Sequence, residues 1–332
     1  MEKKKIIIFG GSGFIGYHLV SILKKQDDLK IIIIDKESPR YINDKIEFIK
    51  FDLRAEFNYS LVKHIEFTSH DIIVNLIALC KIPGHKNSEY FHTNILSSEN
   101  IVKFAEKLLI RKIIFLSSMS VYGPREELVN ESSIMMPDNP YGVSKVISEK
   151  IHNEWRFRDE KNNLLIFRPS IVFGKYEDAN MTRLINAIKS KYFFFPGRDD
   201  TIKSSVYVKD VASAIEFGLK KVKSAKFKLY NLSNPDLLTI KDIVCIIKDK
   251  LNVSMHTFIV PLNIIMFFSH IITIFSRIFF RTKSKFDPDR VKKLTISTNI
   301  DTKKLLEDGF KYQYNFADGI EDWMKEEQLD KK

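Results

Sequence analysis

Short apolar runs recur through the first half of the chain, at residues 6–9, 31–34, 46–51, 72–76, 113–116 and 164–167. They are continuous rather than alternating, the pattern of strands buried on both faces. Between them apolar residues return at helical spacing, as at Phe14, Ile15, Leu19, Val20, Ile22 and Leu23, and again across 99–109. Strands alternating with helices predict an α/β fold with a parallel sheet covered on both sides. Ligands of such sheets bind beyond the carboxyl ends of the strands, so the residues just after each run are the candidates for chemistry.

One later stretch breaks the pattern. Residues 258–280 are long enough to span a membrane, but Asn263, His270 and Arg277 interrupt them. Ser269, His270, Thr273, Ser276 and Arg277 fall on one narrow polar stripe of a helix. Arg281, Lys283 and Lys285 follow. An apolar body, a polar stripe and a basic flank are the build of a helix lying in a membrane interface, and make 258–285 a candidate membrane-surface segment. A helix buried in a lobe or at a dimer contact, or a true span, are the other readings.

Composition narrows the choices. A chain of 332 residues with 44% apolar content can bury one large core or two smaller ones. Its net charge of +11 suits a polyanionic partner: nucleic acid, a phosphorylated substrate or an anionic membrane. The lysines are spread along the chain rather than clustered with aromatics, which argues against nucleic acid. Cys80 and Cys245 show neither close pairing nor metal spacing, pointing to a reducing compartment and no metal site. No secretory signal is expected ahead of Ile6, and a cytoplasmic location follows, at most peripheral to the inner face of the cell membrane. No repeat or low-complexity linker is evident.

The chemistry starts at the first run. Ile6–Phe9 leads directly into Gly10, Gly13 and Gly16, and then into the helical pattern that begins with Phe14 and Ile15. This is the strand, turn and helix of a dinucleotide pyrophosphate site. Gly10 permits the tight turn, Gly13 lets backbone approach the phosphates, and Gly16 lets the helix pack on the strand. The phosphates sit on the helix N-terminus. The second run ends at Asp35, an acid that accepts from both adenosine ribose hydroxyls and repels a 2′-phosphate, favouring NAD over NADP. Asp52-Leu53 follows the third run, where the carboxylate either accepts from the adenine amino group or ends a turn. Leu76 and Ala78 follow the fourth and would flank the cofactor; Lys81 faces a phosphate or solvent. Ser118 follows the fifth. Tyr141 and Lys145, at i and i+4, share one face of a helix opened by Asn139-Pro140. An ammonium beside a phenol favours the phenolate, so Tyr141 is expected to titrate below its ordinary pKa of about 10 and act as a base, with Ser118 hydrogen-bonding the same substrate oxygen.

These motifs, together with Arg168-Pro169-Ser170-Ile171-Val172-Phe173-Gly174 and Val206-Tyr207-Val208-Lys209-Asp210, resemble the extended short-chain dehydrogenase/reductases of the NAD-dependent epimerase/dehydratase family. The resemblance runs from Ile6 to about Trp323. It implies a Rossmann-like doubly wound sheet over residues 1–174, to which 205–219 return. A smaller mixed C-terminal substrate lobe would take 175–204 and 220–332, including 258–280. It implies NAD as cofactor, a homodimer, and Ser118 in the family's catalytic serine or threonine position. Asn94 matches a buried asparagine near the active site and is counted with the cofactor-binding residues. Asn180 matches a substrate-contacting asparagine, Lys203 and Ser204 stand where the substrate's diphosphate or ribose is held, and Arg290 reaches a substrate phosphate or lies at the surface. Met119 and Ser120 replace the Asp-Glu pair of the family's dehydratases, which argues for C4 epimerisation or 4-keto reduction. Residues 180–208 resemble bacterial N-acetylhexosamine 4-epimerases of surface-polysaccharide (O-antigen) pathways, acting on UDP- or polyprenyl-diphosphate-linked N-acetylglucosamine. A 4-keto-sugar reductase and a non-catalytic NAD-binding scaffold are the competing readings.

Overall fold

The apolar runs become the centre of the molecule. The computed structural model describes residues 3–40, 43–81, 84–275 and 295–329. Seven strands form one parallel sheet: β1 (Lys4–Phe9), β2 (Leu29–Asp35), β3 (Ile46–Lys50), β4 (Ile72–Asn75), β5 (Lys112–Leu116), β6 (Asn163–Pro169) and β7 (Phe227–Leu232). Their order across the sheet is β7-β6-β5-β4-β1-β2-β3. Ile6, Ile7, Ile8 and Phe9 are all buried because both faces are covered. Ile6 and Ile8 join one core with helices α1 (Phe14–Leu23) and, from much later in the chain, Val208–Lys221. Ile7 and Phe9 join another, beneath α2 (Asn87–Lys107) and α3 (Pro140–Arg158). The fold is therefore a doubly wound, Rossmann-like α/β sheet.

A third core lies beyond the sheet. Met181, Ile185 and Ile188 from Asn180–Lys189 pack with Ile243, Val244 and Ile247 from Ile240–Leu251, and with Phe316, Ile320 and Trp323 near the C-terminus. Three two-stranded parallel pairs stand outside the main sheet: Ile171–Phe173 with Ser205–Tyr207, Phe195–Pro196 with Ile259–Val260, and Arg125–Val129 with Thr298–Ile300. Burying each large apolar side chain contributes roughly 1.5–3 kcal/mol.

Three sequence expectations change. The returning segment does not end at residue 219, because Phe227–Leu232 pairs with β6 as the edge strand of the main sheet. Leu305 and Phe310 also pack into the core shared by α1 and Val208–Lys221. The helix expected over 99–109 starts at Asn87, since polar residues 87–89 form its first turn and Glu89 caps it through the Lys86 N–H.

The segment 258–280 contains the helix Leu262–Phe275. Ile264, Phe267 and Phe268, spaced i, i+3 and i+4, are exposed. A helix buried within this chain's own lobe is thus not what these residues form. Among the described residues no helix is long and apolar enough to cross a membrane. The side chains of the polar stripe and the basic flank, and Arg290, lie outside the described residues.

Candidate active site

β1 and β2 run in register to their ends, with Phe9 opposite Ile34, and the Gly10 N–H donates to the Ile34 carbonyl. This sets the glycine turn beside Asp35. Gly10 has φ +79°, and a Cβ there would stand 2.9 Å from the Ile77 nitrogen. At Gly16 a Cβ would stand 2.4 Å from the Gly11 carbonyl oxygen, so the helix can approach the turn only without a side chain. Gly13 meets nothing closer than 3.4 Å and faces outward. The outcome is a cavity of about 420 Å3 where the strand order reverses between β1 and β4.

Gly10, Gly13, Asp35, Asp52, Leu53, Leu76 and Ala78 all line this cavity. Asp35 accepts from the Ser12 and Glu37 N–H groups, while burial holds its carboxyl above the usual range. Asp52 is engaged by the Arg54 guanidinium, which holds its carboxyl below that range. Sequence reasoning missed Arg54, His85, His92, Thr93 and Ser97 on the same wall. No short motif marks them: Arg54 sits in the loop after β3, His85 lies just ahead of α2, and α2 brings His92, Thr93 and Ser97 in from the side.

The Phe14 and Ile15 side chains are not on this wall. They pack against the C-terminal core, because the first turn of α1 is where that lobe meets the sheet. Asn94 is buried but is likewise not on the wall. Its amide oxygen accepts from the Leu79 N–H at 2.7 Å, and its nitrogen donates to the Leu79 carbonyl and to Ser144 Oγ at 2.8 Å. It ties the loop after β4 to α3.

That tie joins the cavity to the tyrosine and lysine. Leu79 lines the wall, and Cys80 beside it acts electrostatically on both Tyr141 and Lys145. Helix α3 starts where it does because Asn139 accepts from the Gly142 N–H at 2.9 Å and Pro140 takes the first turn. A Cβ on Gly142 would strike the Ser120 carbonyl oxygen at 2.5 Å, so this glycine lets the first turn of α3 close on the loop that carries Ser118. Ser118 Oγ accepts from the Ser120 N–H at 3.1 Å and stands close enough to the Tyr141 phenol to draw its pKa down.

The expected lowering of the Tyr141 pKa is corrected. Burial pushes the phenol above its ordinary value and the nearby Cys80 thiol adds to this; the Ser118 hydroxyl pulls the other way. Lys145 reaches inward and lies over the Phe115 ring, 4.4 Å from its centroid. Burial lowers it to about 8, against the pull of Cys80 and Glu149. Spacing alone placed the two residues on one face but did not register how dry that face is.

The expected substrate contacts are not gathered on the cavity wall. Lys81 is exposed and pairs with Asp178 at 2.8 Å. Asn180, at the start of its helix, accepts from Arg183 at 3.0 Å. Lys203 donates to the Ile296 carbonyl at 2.6 Å, and burial lowers it to about 8. Ser204 is buried and accepts from the Ile300 N–H. Each of these residues holds a protein partner.

The site fits a dinucleotide on two further counts. The Lys145 side chain is buried with its ammonium over the Phe115 ring, and the buried Ser12 hydroxyl beside the glycine turn has no hydrogen-bond partner among the described residues. Among the described residues no group of His, Cys, Asp or Glu could hold a metal ion.

A glycine-turned, doubly wound sheet with a tyrosine and lysine on an adjoining helix defines a nucleotide-binding oxidoreductase-type scaffold. The family model "NAD dependent epimerase/dehydratase family" matches residues 6–233, and the chain belongs to that family. NAD is its cofactor. The chain is 26% identical over 319 residues to the N-acetyl-alpha-D-glucosaminyl-diphospho-ditrans,octacis-undecaprenol 4-epimerase of Escherichia coli O157:H7, covering 95% of this chain and 93% of that one. It is 28% identical over 262 residues to a putative UDP-glucose 4-epimerase of Methanocaldococcus jannaschii, covering 74% and 82%. Among solved structures, the UDP-N-acetylglucosamine 4-epimerase from Methanobrevibacter ruminantium M1, in complex with UDP-N-acetylmuramic acid, superposes with a TM-score of 0.78. It is 23% identical and is covered in full, against 99% of this chain.

Proposed function

We propose that the protein interconverts the C4 epimers of an N-acetylglucosamine joined through a diphosphate to its carrier, with Ser118, Tyr141 and Lys145 as the catalytic residues. The observation that carries this is a dinucleotide cavity whose rim loop is tied through Asn94 to the helix on which Tyr141 and the buried Lys145 share one face, beside Ser118. The names of the similar 4-epimerases support the sugar and the position. When bound, NAD supplies a hydride acceptor and donor. Tyr141 holds and moves the proton of the C4 hydroxyl, Ser118 orients that oxygen, and Lys145 supplies positive charge that opposes the effect of burial on the phenol. Gly10, Gly13, Asp35, Asp52, Leu53, Leu76 and Ala78 hold the cofactor, and Gly16 holds α1 against it. Lys81, Asn180, Lys203 and Ser204 serve the substrate only if it displaces their present partners.

The carrier is a polyprenol rather than a nucleotide, in surface-polysaccharide (O-antigen) biosynthesis, and the protein works as a homodimer at the membrane surface. Support comes from an exposed apolar platform. Tyr192 is 87% exposed, Phe258 61% and Phe267 63%. Phe194 and Phe258 stack at 6.3 Å, and Phe195–Pro196 pairs with Ile259–Val260, so the two segments form one surface. Gly197 abuts Leu262, where the exposed helix begins, and also Thr295, next to the Ile296 carbonyl that holds Lys203. A cation therefore stands behind the platform, as a lipid-linked diphosphate needs. The test offers the purified protein UDP-N-acetylglucosamine and its polyprenyl-diphosphate counterpart and assays the galacto product. Turnover of the lipid-linked sugar with little of the nucleotide sugar is expected. The reverse preference would sink the carrier assignment, and turnover of neither would sink the reaction.

A further inference from the structure

We propose that Glu149 is a positioning residue for this site. Held between Arg168 and Ser117, it fixes the face of α3 that carries Tyr141 and Lys145 against the strand end that carries Ser118. The inference rests on the reading of Tyr141 as the base.

Tyr141, Lys145 and Glu149 follow one another at intervals of four and form a column along α3. The Glu149 and Arg168 side chains are each only 4% exposed. Glu149 Oε1 accepts from Arg168 Nε at 2.8 Å and from Ser117 Oγ at 2.5 Å, and Oε2 accepts from Arg168 Nη2 at 2.6 Å. Both oxygens are thus used, in a fork that admits one orientation. Arg168 is anchored in turn: its Nη1 donates to the Tyr122 hydroxyl at 2.8 Å, which donates to Asn231 Oδ1 at 2.7 Å. The network spans β5, α3, β6 and β7.

Adjacent residues at the end of β5 therefore hold α3 at two places. The hydroxyl of Ser117 grips Glu149, and that of Ser118 meets Tyr141. A buried ion pair is weak evidence for net stability and better evidence for a fixed arrangement. The Lys145 ammonium lies over the Phe115 ring from β5, and three ionisable groups act on it electrostatically: the Cys80 thiol from the loop after β4, and Glu149 and His152 from α3 itself. Of these Glu149 alone supplies a full negative charge. Removing it lowers the pH at which Lys145 loses its proton.

The test compares Glu149→Gln, Glu149→Asp and Ser117→Ala with the wild type in kcat, KM, pH profile and amide exchange. Glu149→Gln is expected to move the alkaline limb of kcat to lower pH by about one unit at unchanged KM, and Glu149→Asp to restore most of it. A limb that stays in place would overturn the proposal, because a merely structural loss lowers activity equally at every pH. Should Glu149→Gln not fold, Ser117→Ala decides, since it leaves the ion pair intact. It should lower kcat about tenfold with KM within about twofold, and speed exchange over residues 141–149. Wild-type kcat in that variant would overturn it. If the wild type itself turns over no diphosphate-linked sugar, the proposed reaction fails separately. Exchange in Ser117→Ala then still tests the clamp, with faster exchange supporting it and unchanged exchange overturning it.

Discussion

Tyr141 is placed where burial opposes its ionisation, so its use as a base depends on what surrounds it once substrate and cofactor are in place. Replacing it with Phe should lower kcat by about 10²- to 10⁴-fold while leaving NAD binding within about twofold; cofactor content after gel filtration and initial rates check both. Asp35 should matter for the cofactor rather than the chemistry. Asp35→Ala is expected to weaken NAD about 10- to 100-fold, the worth of hydrogen bonds to a charged group, and to narrow the preference over NADP, read by calorimetric titration. A third residue, behind Lys145 on the same helix, offers a pH test read in stability rather than turnover. His152 is stacked on Phe115 at 4.3 Å, and burial lowers it to about 4. Its folded pKa lies below its unfolded one, so between pH 6.5 and 4 the unfolded chain binds the extra proton and stability falls as pH falls. His152→Gln should flatten that part of the Tm-against-pH curve; an unchanged slope would count against the burial argument. The positions of Ser118, Tyr141 and Lys145 were legible from strand ends and helical spacing. The sign of the phenol's shift was not, because spacing carries no measure of dryness. Glu149 was within reach, at one more interval of four, and Arg168 stood in a quoted motif, but nothing in the sequence shows that the strand after α3 turns Arg168 back onto that helix.

The strands were legible because parallel strands buried on both faces must be apolar throughout. The edge strand Phe227–Leu232 was not, since Lys228 and Asn231 break the run and only one neighbour pairs with it. Helix α2 was under-read at its polar start for the same reason. The Val-Tyr-Val-Lys-Asp motif was read correctly as a marker, and the structure supplies its physical task. Asp210 accepts from the Gln313 and Tyr314 N–H groups, and Tyr207 and Lys209 both donate to Asp322, fastening the closing segment to the sheet domain. At this scale the glycine turn makes the sharpest demand. Gly16→Ala puts a methyl against the Gly11 carbonyl, and should cost about 1–3 kcal/mol and loosen NAD. Denaturant unfolding with and without cofactor reads both effects, and a variant as stable as the wild type would refute the close approach.

For the molecule as a whole, two cores cover the sheet and a third builds the lobe, leaving the cavity at the reversal of strand order. The exposed aromatic platform is continuous with that lobe, and the net charge of +11 suits an anionic surface. Phe267→Ser combined with Phe268→Ser should reduce sedimentation with vesicles containing anionic lipid by at least about fivefold, without changing turnover of a soluble substrate. Equal sedimentation would argue that the platform meets something other than a membrane. The most direct measurement of the central claim follows the hydrogen on C4. Diphosphate-linked N-acetylglucosamine deuterated at C4 should give galacto product that keeps its deuterium in ordinary water. Product that has lost the label to solvent, or no galacto product from either carrier, would contradict the account.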